Sequence, residues 1–178
     1  MILGGETLSS FRKQEWNQGR SFKRGEVYFV KLPPEPQIGN ETSKVMHGDH
    51  RVVVLYDSTY PRKTVTVVPI TSLNNKLGQP KQTLPNDLKL FKTDYNNAGT
   101  PFKGTIMNDS LIKPEQIRTI SRDYLERHVG EMLPEDMTQL DLRLISVLSL
   151  ENTIQKLIER RVEELSRIND KDSAREMD

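Results

Sequence analysis

Arg51, Thr71 and Ser72 stand at the polar ends of two apolar runs, Val52 to Tyr56 and Val65 to Ile70, within the stretch HRVVVLYDSTYPRKTVTVVPITS. A guanidinium offers a planar fork of donors to two phosphate oxygens, and a hydroxyl can donate to a third. Held at one sheet edge, such a set would stabilise negative charge building on a phosphoryl group. Plainer roles fit the same residues. Arg51 can make a surface salt bridge, worth little energetically, and Thr71 and Ser72 can satisfy main-chain groups at a strand end. His47, Asp49 and His50 lie nearby, but two histidines and an acid in one loop fix no coordination geometry, so no metal is expected.

Paired strands would have to position these groups. RGEVYFVKL, Arg24 to Leu32, alternates Val27, Phe29 and Lys31 against Tyr28, Val30 and Leu32 and stops at Pro33 and Pro34, which predicts a first strand. Pro33 to Asp49 predicts a long loop. Strands are expected at Arg51 to Tyr56 and Thr64 to Thr71. Leu73 to Pro101, rich in Asn, Lys and Pro, should be an excursion holding a short strand or helical turn. Extended segments are expected at Gly104 to Met107 and at Leu111 to Ile120, where Pro114 demands an edge or a bulge.

The pattern then changes from β to α. Ser121 is a plausible N-cap for a short helix from Arg122 to His128, and Pro134 suits the first turn of a longer one. Leu140, Leu144, Val147, Leu148, Ile154, Ile158, Val162 and Leu165 recur at mostly three- and four-residue steps, which predicts one apolar stripe from about Glu135 to Ile168 with a possible break at Asn152. Lys171 to Asp178 is charged and should fray. The expected organisation is a polar arm over 1–23, a barrel domain over 24–150 and a helical extension with a charged tail over 151–178. Trp16, the only tryptophan, belongs to the arm, which is expected to be loosely ordered unless it docks.

Composition narrows the classes. The 178 residues suit one domain with appendages, and 29% charged against 34% apolar residues argues for a modest core. No apolar run reaches the roughly 18 residues needed to cross a bilayer, so a soluble, cytoplasmic protein is expected. With no cysteine, thiol catalysis and thiolate metal sites are excluded. A net charge of +1 means that a nucleic acid would have to meet a local basic patch.

Four segments in order, RGEVYFVKL, HRVVVLYD, VTVVPITS and DSLIKPEQIRTI, followed by LISVLSL, resemble the MazF/PemK family of toxin endoribonucleases from toxin-antitoxin systems. The resemblance spans Arg24 to Leu150. It implies a mainly β fold, an SH3-like antiparallel barrel with C-terminal helices. It also implies a homodimer, a single-stranded RNA substrate, a cognate antitoxin as partner and no cofactor. The implied reaction is attack by the RNA 2′-OH on the adjacent phosphorus, which leaves a 2′,3′-cyclic phosphate and a 5′-OH.

By matching position, Arg51 and Thr71 are the implied catalytic pair and Ser72 the neighbouring hydroxyl, with Glu115 of the EQIRT stretch as general base. Departures from the family pattern include Val52 after the strand-opening arginine, VMHGDH before it, Asn108 before the DS pair, and Lys113. They bear on substrate alignment more than on reaction class. His50 could touch RNA or assist proton transfer, and Arg118 could be structural. The lysines at 76, 81, 89, 92 and 103 are interleaved with Phe91, Tyr95 and Phe102, the mixture that tracks a single strand; a solvated loop is the plain alternative. Lys76, Phe102 and Lys113 complete the expected RNA-binding set. Two other functions share the barrel: a CcdB-type toxin that traps gyrase, disfavoured by the SAREMD end, and an RNA-binding module without turnover.

Overall fold

The computed structural model describes residues 19–34, 45–59 and 61–175, with side chains up to 168. The arm with Trp16 up to residue 18, the loop at 35–44 and the final residues 176–178 lie outside the described residues, together with the expectations placed on them. The described residues form seven strands: β1 (Glu26–Leu32), β2 (Gly48–Val54), β3 (Thr64–Ser72), β4 (Leu88–Leu90), β5 (Ser110–Ile112), β6 (Arg118–Ser121) and β7 (Leu125–Glu131). Three α-helices accompany them among the described residues, α1 (Lys92–Ala98), α2 (Pro134–Val147) and α3 (Glu151–Arg175).

All strand pairs are antiparallel, in the order β4-β5-β3-β2-β1-β7, with β6 alongside the first half of β3. The expected small β architecture is present, but as a sheet that stays open: among the described residues β4 and β7 end the path without pairing each other. β3 organises it. One edge pairs with β2, and the other pairs with β5 at Ile70 to Ser72 and with β6 at Thr64 to Val67. Between β5 and β6 the chain leaves the ladder in a 3-10 turn at Pro114–Gln116, because proline has no N–H to donate there. The expected single run from Leu111 to Ile120 is therefore two short strands.

Alternate residues of the central strands feed two cores. Val27, Val53, Val68 and Ile70 face one cluster with Leu90, Tyr95, Ile106 and Leu140 of α2. Tyr28, Val30, Val52, Val54 and Val67 face the other with Phe22 and Leu125. Phe22, which the composition of the N-terminal segment did not single out, is fully buried and bridges to Ser58.

Two helix and strand expectations are corrected. Ser121 does cap, accepting from the main-chain N–H of Asp123, but what it caps is one 3-10 turn at Arg122–Tyr124. The expected helix to His128 is instead β7, recruited by pairing with β1 through two register shifts. Tertiary pairing overrides the weak strand propensity of LERHVGE. Gly104 to Met107 is not a strand either; Thr105 and Ile106 are buried just after a turn over 101–104 in which Gly104 takes φ +88°. In the C-terminal region Pro134 starts α2 as expected. The break comes at Ser149, with φ 54°, three residues before Asn152. Leu140 is buried, whereas Ile154, Leu157, Ile158, Val162, Leu165 and Ile168 on α3 are all exposed. No helix of the described residues is long and apolar enough to cross a membrane.

Candidate active site

The register of β2 and β3 brings the dispersed polar residues together. Arg51 lies opposite Phe29 on β1 and Ile70 on β3, at the strand end that carries Thr71 and Ser72. These residues line one open cleft of about 390 Å³ with Asp49, His50, Met107, Asn108 and Ser110. The guanidinium of Arg51 donates from Nη1 to the main-chain oxygen of Thr105 at 2.6 Å and lies 5.0 Å from the centroid of the Phe29 ring. Arg127 of β7 places a second guanidinium 4.9 Å from the same centroid. Burial, and then the like charge of Arg127, lower the pKa of Arg51 from its ordinary value. Among the described residues no carboxylate forms an ion pair with Arg51. The centre of the cleft is thus a half-desolvated cation fixed by a neutral carbonyl, an arrangement that favours an incoming anion.

Thr71 accepts a hydrogen bond from Lys81 Nζ at 2.8 Å. Ser72 accepts from the main-chain N–H of Asn74 at 3.3 Å, so it serves the turn after β3 while it borders the cleft. A second open cavity of about 490 Å³ adjoins at Ser72 and is lined by Asn74, Asn75, Lys76 and Lys81. Lys76 therefore flanks the cleft without lining it.

His50 is half-buried, and one ring nitrogen is 3.1 Å from the main-chain oxygen of His47. Its pKa is lowered from 6.5, chiefly by burial, with main-chain hydrogen bonds opposing and Lys81 and Arg118 adding like charge. The unfolded chain therefore binds more protons at this site between the lowered value and 6.5, and stability rises with pH across that window. Urea unfolding at pH 5.0 and 7.5 checks this. The wild type should lose more stability than His50→Gln on acidification, and an equal loss in both would exclude His50 as the cause.

The remaining expected residues lie elsewhere. Glu115 is the exposed residue of the 3-10 turn, 3.8 Å from Lys113 Nζ, and does not line the cleft. Lys113 is also held by the buried Asp87 at 2.9 Å, so carboxylates already engage its charge. Phe102 packs partly buried against the core. Tyr95, expected as a stacking platform, is wholly buried, and its hydroxyl donates to Asp136 at 2.7 Å; only Phe91 of those three aromatics is exposed.

Residues that sequence reasoning did not place in the site include Asp49, Met107 and Thr105. Asp49 is two residues before Arg51 on the same strand, a spacing that puts both on one face; that period was the available signal. Thr105 and Lys81 arrive from loops, and nothing in their spacing announces the contact.

A small open antiparallel sheet packed against the helix α2 and followed by α3, with a cationic cleft at one end of its central strands, has the fold of the MazF-type toxins. The crystal structure of MazF from Deinococcus radiodurans matches with a TM-score of 0.50 at 12% identity, covering 73% of this chain and 98% of that one. The chain belongs to the PemK-like, MazF-like toxin family of type II toxin-antitoxin systems, whose family model matches residues 23–148. An endoribonuclease in complex with its cognate antitoxin, from a mycobacterial species, matches at 18% identity and a TM-score of 0.45, covering 72% of this chain and 95% of that one. The Mycobacterium tuberculosis toxin MazF-mt6 matches at 16% identity and 0.48, covering 71% and 98%. Comparison with curated proteins gave no match. α3 begins beyond the residues that the family model matches.

Proposed function

We propose that the protein is the toxin endoribonuclease of its toxin-antitoxin pair, cutting single-stranded RNA without a metal. The observation that carries this reading is Arg51 in the cleft: a cation without a carboxylate partner among the described residues, beside the hydroxyls of Thr71 and Ser72. The RNA 2′-oxygen attacks the adjacent phosphorus, the bond to the 5′-oxygen breaks, and the departing oxygen takes a proton from solvent. Products carry a 2′,3′-cyclic phosphate and a 5′-OH. Arg51 stabilises charge on the phosphoryl oxygens and Thr71 donates to one of them.

Proton removal from the 2′-OH falls to Asp49 in this reading, not to Glu115. Asp49 is an exposed carboxylate on the Arg51 side of β2 and lines the cleft, whereas Glu115 lies outside it. A carboxylate accepts without needing a particular tautomer, whereas His50 already bonds to main chain. The second guanidinium, Arg127, suits contact with a neighbouring phosphate. The antitoxin is the proposed partner that covers this cleft, and a homodimer is the proposed assembly. In the test, purified protein meets a mixed-sequence RNA in excess chelator. Fragments with cyclic phosphate ends are expected, and no cutting when the nucleotide 5′ to the scissile bond is 2′-deoxy. Products with 3′-hydroxyls, or binding without cutting, would refute the reaction.

A further inference from the structure

The hydrogen bond to Thr71 assigns work to a lysine that the proposed reaction leaves unused. After β3 the chain makes a tight hairpin, and its backbone is pinned at several points. Leu73 N–H donates to Asp109 at 2.8 Å, and Lys81 N–H donates back to Leu73 at 2.9 Å. Asn74 bridges to Pro80, and the Asn75 side chain accepts from the N–H groups of Leu77 at 2.9 Å and Gln79 at 3.0 Å. This side-chain mimic of a turn returns the chain over the end of β3. It delivers the Lys81 ammonium to Thr71 Oγ1 at 2.8 Å.

The direction of that bond is not free. An ammonium only donates, so Thr71 must be the acceptor, and one oxygen lone pair is taken. A strand-end threonine without such a neighbour commonly turns its hydrogen to a nearby main-chain carbonyl. Here the Thr71 hydrogen is kept away from the lysine, and Thr71 lines the cleft. Lys81 is half-buried, and burial followed by the like charge of Lys113 lowers its pKa. Carboxylates hold Lys113, yet none forms an ion pair with Lys81 among the described residues. Its charge remains to polarise the hydroxyl.

We propose that Lys81 is a positioning residue for RNA cleavage: by donating to Thr71 Oγ1, its ammonium fixes the Thr71 hydroxyl as a donor aimed into the cleft. The proposal rests on the nuclease reading, and two measurements separate their failures. In single-turnover cleavage of a short RNA, Lys81→Met should lower the rate about tenfold, the worth of one oriented hydrogen bond, with little change in RNA affinity. Lys81→Arg, which still donates, should recover to within about threefold by the same reasoning. In a Thr71→Val background Lys81→Met should cost nothing further, because residues acting through one another are not additive. Losses that multiply in the double variant, or a Lys81→Met rate within twofold of wild type, would overturn the proposal.

The second measurement needs no cleavage. In 15N-lysine NMR of the free protein, the ammonium signal missing from Lys81→Met identifies this side chain. Thr71→Val should shift that signal and speed its hydrogen exchange. An unchanged signal would overturn the contact even if the wild type cut no RNA, a result that would by itself sink only the nuclease reading.

Discussion

Arg51→Ala is expected to slow single-turnover RNA cleavage by about 10²–10³-fold, the usual effect of deleting one preorganised donor to a developing oxyanion. The size follows from how the guanidinium is held. Its Nη1 is spent on the Thr105 carbonyl and its face on Phe29, so the remaining N–H groups are fixed before substrate arrives. No carboxylate ion pair among the described residues must be broken to use the charge. Arg51→Lys should recover little, because one ammonium cannot both reach the anchor and present a planar fork to two oxygens. Thermal unfolding of both variants checks that the fold is intact. A folded Arg51→Ala protein within tenfold of wild type would remove Arg51 from the centre of the reaction.

Gly130→Ala should damage stability and activity through the same anchor. Gly130 pairs with Val27 where β7 meets β1, at φ +149°, a conformation other residues adopt poorly. A Cβ there would stand 2.0 Å from Thr105 Oγ1 and 2.9 Å from the Pro101 carbonyl oxygen. Thr105 is β-branched and fully buried, so it cannot swing aside, and the 101–105 turn must move instead. Overpacking of this kind costs about 1–3 kcal/mol, with backbone strain of similar order added. Urea unfolding should show that loss. Cleavage under conditions where the variant is folded should also fall, since the displaced turn carries the oxygen that fixes Arg51. Wild-type values for both would mean that the turn yields without effect.

The central strands were legible because their signal is local. Alternation in EVYFVKL and the valine runs of β2 and β3 are repeated at every second residue, and burial on both faces agrees with them. The cleft residues at the ends of those runs, Arg51, Thr71 and Ser72, were legible for the same reason, whereas His50, expected in a loop, lies on β2, which starts at Gly48. β7 was not. Its sequence carries little β-branched content, and its conformation comes from β1, a partner about a hundred positions earlier. Helical periodicity was readable through α2 and α3, but the stop at Ser149 depends on a left-handed backbone conformation that serine does not advertise. Glu115 and Lys113 illustrate the limit for sites. Motif position placed them with the reactive groups, while the ammonium of Lys113 is held by Asp87 and Glu115 lies on the 3-10 turn that follows, 3.8 Å from that ammonium.

The anchor of Arg51 has a consequence for anyone mapping this protein by mutation. A carbonyl oxygen belongs to every one of the twenty amino acids, so no codon change at position 105 can delete it. A saturation library would flag the arginine and, through packing, the neighbours of the turn, yet remain blind to the acceptor itself. Only chemical editing of the amide link, such as a thioamide installed by ligation, would expose how much of the cleft's readiness is written in its main chain.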